Sequence, residues 1–290
     1  MPSGWLYLKN WNYRVHSKDN LPLGKPTEYI STYMPSLLCG ISRNEGRALL
    51  GISTDDMPFK GMDLWNAYEL SWLEPSGKPV VAIAEIEVPA SSPVMVESKS
   101  LKLYLNSFCH TPFKSRHEVG STIEMDLSVL VQSSVMVRII TPDESLHTFA
   151  RAKAPGLCID REEIETDIYE LDATLLQLEV VSGHVTEVLH SHLLRSNCPV
   201  TGQPDWATLV VEYTGSKINH QSLLKYIISY RNHDGFHEQC VEQIFMDIKQ
   251  CCRPQSLSVF ARYTRRGGID INPYRSDSQV LAANFSTFRQ

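Results

Sequence analysis

The chain has 290 residues, of which 42% are hydrophobic, and its formal net charge is −6. This length suits two domains of ordinary size or one large one, and the apolar content is enough for a substantial core. The mixed charges argue against non-specific binding of a long polyanion, and the apolar runs are too short for a membrane helix, so we expect no nucleic-acid partner and no membrane association.

The first half predicts a strand pair followed by two helices. Two β-like runs, 63–73 and 80–88, are separated by the turn EPSGKP, which is a hairpin signal. Apolar residues at helical spacing then predict a helix over 97–108, and a second helix is expected over about 121–131. A strand over 135–140 ends at a Thr-Pro pair.

The second half repeats this order after an acidic, poorly periodic stretch. The nonapeptide SLKLYLNSF (100–108) aligns without gaps with SLLKYIISY (222–230), and each copy follows predicted strands and precedes a second helix. A shared place in a repeated order favours internal duplication over chance likeness of two amphipathic helices. The elements predicted here are strands at 176–181, 185–194 and 207–213, helices at 221–230 and 237–251, and a strand at 256–263.

These elements predict an α+β fold with two tandem copies of an antiparallel unit that carries its helices on one face. Residues 1–60 are rich in Pro, Gly and Ser and are expected to form an irregular N-terminal arm. The first unit is then expected over 61–150, a linker over 151–172 and the second unit over 173–290.

The seven cysteines do not suggest a disulfide framework. Their number is odd, their spacing is irregular, no CxxC occurs, and the N-terminus shows no secretory signal pattern. We therefore expect a reducing cytoplasm, with most thiols serving as small core hydrophobes.

Cys198 is the first candidate for chemistry. It follows a strand-like run, and Asp205 lies seven residues later, beyond a Pro-containing turn that can fold the acid back toward the thiol. A thiolate attacks electrophilic carbon, and a nearby acid can protonate the atom that gains charge. The alternative is that Cys198 is one more inert, buried thiol.

Further candidates lie in three short stretches. In RNHDGFHEQC, the Asp-Gly pair is expected to cap a helix whose first turn carries His237 and Glu238, which either border a pocket or are simply solvated. His233, His237 and Cys240 also have a spacing that zinc could use. Paired arginines and glycines in RYTRRGGID suit phosphate, as do the lysines of ESKSLK, although exposed basic residues are the commoner explanation.

Taken together, the motifs ESKSLKLY, LPLGKPTEY, PFKGMDLWNAYELSWL, SNCPVTGQPDWA and HDGFHEQC resemble the NADPH-dependent 7-cyano-7-deazaguanine reductases of the queuosine pathway, in their long tandem form (QueF). The resemblance runs from about residue 21 to the C-terminus. It implies the tunnelling fold shared with GTP cyclohydrolase I, a ββααββ unit used twice that assembles side by side into a barrel. A homodimer is therefore also implied.

The resemblance further implies reduction of the nitrile of 7-cyano-7-deazaguanine to an aminomethyl group with two NADPH, by a cytoplasmic enzyme that acts on the free base and need not touch tRNA. It makes Cys198 the nucleophile that forms a covalent thioimide and Asp205 the proton donor, for which we expect a buried, partly protonated side chain. No metal is implied. The remaining implied roles are substrate binding by Val96, Glu97, Ser98, His237 and Glu238, and NADPH binding by Ser98, Lys99, Arg266 and Gly267.

Two rival functions stay open from the residues alone. One keeps the fold but changes the chemistry, to a zinc-dependent, pterin-forming hydrolase, and it predicts stoichiometric zinc. The other is a non-catalytic purine or pterin binder, in which Cys198 is structural.

Overall fold

The structure is a computed structural model that describes residues 14–16, 29–53, 55–148, 151–180, 183–278 and 284–290. Its first half contains a short strand pair, a long hairpin and two long helices. The elements are β1 (Arg14–His16), β2 (Cys39–Ser42), α1 (Asn44–Leu49), β3 (Lys60–Leu73), β4 (Pro79–Pro89), β5 (Val94–Val96), α2 (Ser98–Asn106), α3 (Arg116–Val131), β6 (Met136–Ile140) and α4 (Pro142–Thr148).

The second half repeats the hairpin and the helix pair, and it adds a second hairpin. The elements are β7 (Leu157–Cys158), β8 (His184–Asn197), β9 (Pro204–Ser216), α5 (His220–Ser229), α6 (His237–Cys252), β10 (Ser256–Tyr263) and β11 (Ile269–Ser276). Short 3-10 turns lie at Pro35–Leu37, Ala173–Leu175 and Tyr230–Asn232.

One eight-stranded sheet spans both halves, in the order β6-β4-β3-β11-β10-β9-β8-β7. The last strand of the chain, β11, pairs antiparallel with the first long strand, β3, and so joins the two halves edge to edge. A separate three-stranded sheet has the order β1-β2-β5. The α+β class predicted from the sequence is confirmed.

The two hairpins are built alike. Each first strand has 14 residues, and in each hairpin the register shifts at the same place, between Ala67 and Leu70 in β3 and between Ser191 and Leu194 in β8. The last nine residues of β3 and of β8 share the same order of buried and accessible side chains. A bulge at the same place bends both hairpins in the same way.

The helix pairs repeat too, down to their side-chain hydrogen bonds. The Tyr104 hydroxyl donates to Asp126 Oδ2 at 2.6 Å, and the Tyr226 hydroxyl donates to Asp247 Oδ2 at the same distance. Each bond ties the first helix of a pair to the second. The repeat inferred from SLKLYLNSF and SLLKYIISY is therefore present in the structure.

This repeat begins earlier in the chain than expected. The Ser100 hydroxyl of α2 accepts the Cys39 N–H, and the equivalent Ser222 hydroxyl of α5 accepts the Gln177 N–H. A 3-10 turn precedes Cys39 and another precedes Gln177. Residues 35–49 thus include a 3-10 turn, strand β2 and helix α1, and the expectation of an irregular arm is wrong there.

Two further expectations differ from the structure. No strand covers 176–180; instead, Leu178 forms an isolated bridge with Ile218, just as Gly40 pairs with Val96 in the first half. Strand β11 is not among the predicted elements; its first two residues end the stretch RYTRRGGID, which suggested a basic loop. The first unit also has one strand after its helices where the second unit has two, so its order is ββααβ.

The helices cover one face of the large sheet. Trp65, Ile86 and Val119 belong to the core of the first unit, and Tyr213, Ile244 and Val259 belong to that of the second. On the opposite face, residues of the C-terminal segment 284–290 bond to strand side chains, with Asn284 Nδ2 donating to Asn66 Oδ1 at 2.9 Å.

A buried ion network between the large sheet and helix α6 joins the two halves. The Arg275 guanidinium lies 2.8 Å from Asp63 and 2.9 Å from Glu242. Arg43 and Arg47 of the first unit pair with the same two acids. Because an unpaired buried charge costs several kcal/mol, this network holds the two units in one fixed relation.

None of the helices in the described parts of the chain has the length and apolar character needed to cross a membrane.

Candidate active site

A cleft with about 590 Å³ of space, part of it open to solvent, lies where the two units meet. Strand β5 and the start of α2 form one side, and the β8–β9 turn and the start of α6 form the other. Its lining includes Val96, Ser98, Lys102, Cys198, Asp205, His237, Glu238 and Arg266. Within one chain, therefore, both units contribute to one cleft.

Cys198 occupies the turn that joins β8 to β9. Its N–H donates to the Gln203 carbonyl at 2.8 Å, and its carbonyl accepts the Gly202 N–H at 2.9 Å. Gly202 has a φ of +65°, which a glycine adopts without strain. Because these bonds fix the backbone, the thiol is held at the cleft wall with only 4% of the residue exposed.

Asp205 is the second residue of β9 and lies opposite Ser196 across the hairpin. It is 7% exposed, so the burial expected from the sequence is confirmed. Its Oδ2 lies 3.2 Å from His237 Nε2, and its Oδ1 lies 3.2 Å from an Arg266 nitrogen. The carboxyl thus has one proton-carrying neighbour and one permanent cation.

His237 begins α6, and its ring stacks on Tyr263. The two ring centroids are 3.7 Å apart and the planes differ by 1°. This stack fixes the imidazole plane and so directs Nε2 to Asp205. His237 Nδ1 is buried and has no hydrogen-bond partner among the described residues.

Glu238 follows on α6 and is 4% exposed. Burial and the nearby Asp63 carboxylate raise its pKa to about 7, against the opposing effects of Arg43 and His237. Hydrogen-bond donors from a ligand would favour the ionised form of such a carboxyl group. These surroundings therefore suit a side chain that binds a ligand.

The first unit supplies the other wall through β5 and α2. Val96 and Ser98 line the cleft, but the Glu97 side chain turns inward and caps α2, accepting the N–H groups of Lys99 and Ser100. Burial raises the pKa of Glu97, against these bonds and the neighbouring lysines. A substrate contact by Glu97 therefore stays a prediction.

The loop after β10 connects the cleft to a second hollow. Arg266 faces the cleft, and Gly267 lines the adjoining hollow with Lys102 and Asn106. Gly267 has a φ of +60°, and a Cβ there would lie 3.0 Å from Lys102 Nζ. Lys102 belongs to both spaces, so a long ligand could span them. Lys99 lies outside both sets of lining residues.

Sequence reasoning missed several walls of this cleft. Trp65 comes from the middle of β3, Met95 from β5 and Ile269 from β11. They look like ordinary core residues in the sequence, so no local signal distinguishes them. Phe236, which follows the Asp-Gly pair, also lines the cleft. It is the N-cap of α6 and makes no side-chain cap, so capping by Asp234 was a wrong expectation.

The metal alternative finds no support at this site. Within the described residues, His233, His237 and Cys240 do not form a group of close ligand atoms; the group that does form is elsewhere, at Cys158, His190 and His192. His237 Nε2 is instead engaged with Asp205.

Comparison with known proteins shows the family. Residues 29–139 match a family described as "Nitrile reductase, 7-cyano-7-deazaguanine-reductase N-term", and residues 204–280 match one described as "QueF-like protein". The NADPH-dependent 7-cyano-7-deazaguanine reductase of Burkholderia ambifaria is 51% identical over 276 residues, which cover 94% of this chain and 99% of that protein.

A solved structure, that of the archaeosine synthase QueF-Like in the apo form, aligns with 34% of this chain and 98% of its own, at 20% identity and a TM-score of 0.30. The resemblance inferred from the motifs is confirmed by the family matches and the sequence identity. The chain belongs to the NADPH-dependent 7-cyano-7-deazaguanine reductase family.

Proposed function

We propose that this protein reduces the nitrile of 7-cyano-7-deazaguanine to the aminomethyl group of 7-aminomethyl-7-deazaguanine, with two NADPH, in queuosine biosynthesis. The observation that carries the proposal is the convergence of the Cys198 thiol and the Asp205–His237 pair on one cleft. A thiol beside a proton-transferring pair is the arrangement that nucleophilic addition to a nitrile requires.

The base binds in the cleft through its pyrimidine edge. That edge presents two N–H donors, and an ionised Glu238 can accept both. The apolar walls from Trp65 and Phe236 enclose the ring system, and Val96, Ser98 and His237 complete the site. Glu97 does not need to contact the base; its side chain caps α2 and so fixes the position of Ser98.

Cys198 then adds to the nitrile carbon. The new carbon–sulfur bond converts the C≡N group into a thioimide, and the nitrogen receives a proton from Asp205. The proton lost by the thiol returns to the Asp205–His237 pair, so this step needs no external acid or base. The fixed turn around Cys198 holds the sulfur in place throughout.

NADPH, when bound, supplies one hydride to the carbon in each of two rounds. After the first round, with one proton taken up on nitrogen, the carbon carries hydrogen, an amino group and the Cys198 sulfur. The carbon–sulfur bond then breaks, and Cys198 leaves as thiolate from an iminium ion. In the second round the iminium becomes the amine, and the thiolate regains a proton. Two NADPH and two protons are consumed per nitrile.

The residues beside the cleft fit this cofactor. Arg266 and Lys102 offer cations to phosphate, and the left-handed Gly267 leaves room that a side chain would fill. Ser98 and Lys99 at the start of α2 add a hydroxyl and a third cation, at a helix end that favours anions.

The finer fold and the assembly belong to the same proposal. The units are tunnelling-fold units, and two chains of a cytoplasmic homodimer assemble side by side into a barrel. Strands β6 and β7 end the described eight-stranded sheet and offer edges for such pairing. Because the substrate is the free base, no contact with tRNA is required.

Intact-protein mass measurement with substrate alone tests this function. We expect a mass gain equal to one substrate on the wild type, located on Cys198, and none on Cys198→Ala. Cys251→Ser, which removes an exposed thiol, is the matched control and should keep the adduct. An adduct on another residue, or NADPH oxidation by Cys198→Ala, would overturn the proposal. Tight base binding with neither adduct nor oxidation would favour the non-catalytic binder.

A further inference from the structure

Three potential metal ligands meet at the edge of the sheet, away from the cleft residues. Cys158 of β7 lies directly opposite His190 of β8, and His192 follows two residues later on the same strand. Their ligand atoms all lie within 4.8 Å of one another, and the two imidazole ring centroids are 5.2 Å apart. The function proposed above uses none of these residues.

His190 is oriented as metal-binding histidines usually are. Its Nδ1 lies 2.8 Å from the Pro155 carbonyl, and the residue is 3% exposed. Because a carbonyl can only accept, Nδ1 must carry the proton, so Nε2 keeps its lone pair. A backbone carbonyl that fixes the tautomer in this way is a recurring partner of metal-binding histidine.

His192 is also held in position. Its Nδ1 lies 2.9 Å from the Thr208 hydroxyl, which leaves Nε2 as the ligand atom, and Phe288 packs edge-on at 4.9 Å between centroids.

We propose that Cys158, His190 and His192 form a binding site for a thiophilic divalent cation of the zinc class. One sulfur and two imidazole nitrogens are donors that zinc prefers, with bonds of about 2.3 and 2.1 Å. In a tetrahedron these bonds place donor atoms roughly 3.5 Å apart. The side chains would thus have to close by roughly 1 Å, and a water or an added ligand would fill the fourth position.

An ion bound by these three residues would cross-link two parts of the chain. Cys158 belongs to the stretch between the two units, and His190 and His192 belong to the strand that leads to Cys198. Strand β7 has only two residues, so an ion at this point would add a cross-link between that stretch and β8. A metal bound in the folded state stabilises that state by mass action, so zinc should raise the melting temperature.

Zinc titration against a chromophoric chelator, on protein first stripped of metal, tests the site. We expect one zinc per chain for the wild type, and at least tenfold weaker binding for Cys158→Ser and for His192→Gln. Cys251→Ser, which removes an exposed cysteine outside the cluster, is the matched control and should bind like the wild type. Zinc should raise the melting temperature of the wild type and the control alone.

One further variant and a second metal ion keep the test decisive. Zinc binding that survives Cys158→Ser, or that disappears in Cys198→Ala, would overturn the site, the latter by placing the ion in the cleft. Cobalt(II) should give a thiolate charge-transfer band in the wild type that is missing in Cys158→Ser. None of these readouts uses turnover, so their failure would leave the proposed reductase function untouched.

Discussion

Two buried glutamates one turn apart on α6 have opposite electrostatic surroundings. Burial and Asp63 raise the pKa of Glu238 to about 7, despite Arg43 and His237. For Glu242, burial is outweighed by Arg275 and the other paired arginines, and the pKa is lowered. Substituting each by glutamine should therefore change the free energy of unfolding in opposite directions.

The magnitude for Glu238 follows from its pKa. The unfolded side chain titrates near its ordinary value of 4.5, so between that pH and about 7 the folded protein holds this proton more tightly. The resulting stability is fully present below pH 4.5 and is lost as the pH rises through 7. At 1.36 kcal/mol per pH unit the loss is roughly 3 kcal/mol at most. Glu238→Gln removes this pH dependence. The free energy of unfolding of the variant should therefore rise relative to that of the wild type as the pH increases to 8.

Urea unfolding of both variants at pH 5 and pH 8 measures this effect. We expect Glu238→Gln to be more stable than the wild type at pH 8 by about 1 to 3 kcal/mol, and nearly equal at pH 5. Glu242→Gln leaves buried arginines without their carboxylate, and it should lose about 3 to 5 kcal/mol at pH 8. A Glu238→Gln variant less stable than the wild type at pH 8, or a pH-independent difference, would refute the reasoning.

Glu238→Gln should stabilise the folded protein but weaken its binding of the base. Glutamine presents one acceptor where the ionised carboxylate presents two, so we expect the affinity of Glu238→Gln for the base to fall at least tenfold. In the wild type, binding should also release a proton between pH 6 and 8, because the donors of the base favour the ionised form. Calorimetry in buffers of different ionisation enthalpy would detect that proton.

Substitutions at three other residues test the remaining parts of the cleft. Asp205→Asn should keep base binding but lower kcat by about 10²- to 10⁴-fold, with a slower mass gain on Cys198. Tyr263→Leu removes the ring under His237 and should lower kcat and alter its pH profile, with a roughly two- to tenfold change in kcat/KM, whereas Tyr263→Phe should keep both. Arg266→Ala should raise the KM for NADPH about tenfold or more in steady-state kinetics. An unchanged kcat in Asp205→Asn or Tyr263→Leu, or an unchanged KM for NADPH in Arg266→Ala, would contradict the assigned role.

Much of the fold followed from local patterns in the sequence. The hairpin turn EPSGKP and the helical spacing after it predicted elements that the structure places within a few residues. Cys198 after a strand and Asp205 at the start of the next were also correct, because a short turn between two strands leaves little freedom. His237 and Glu238 lie in the first turn of α6, as the Asp-Gly break before them suggested.

The parts that failed depend on contacts between distant residues. Strand β11 contains Pro273 and follows a basic loop, and it is a strand because β3 and β10 pair with it on both sides. Trp65 reaches the cleft because β3 lies beside β11 in the sheet. The inward turn of Glu97 depends on the backbone N–H groups of α2, which a motif does not reveal.

The duplication separates features that both units retain from features that have diverged. Both units retain the tyrosine–aspartate hydrogen bond between their helices. Both also retain a serine, Ser100 or Ser222, whose hydroxyl accepts a backbone N–H from the segment before the hairpin. The helix caps have diverged, to Glu97 in one unit and Asn219 in the other. The hairpin turns have diverged more, since Glu74 follows β3 where Cys198 follows β8. A thiol in one turn and cleft walls from the other unit would thus give two similar units unequal roles in one site.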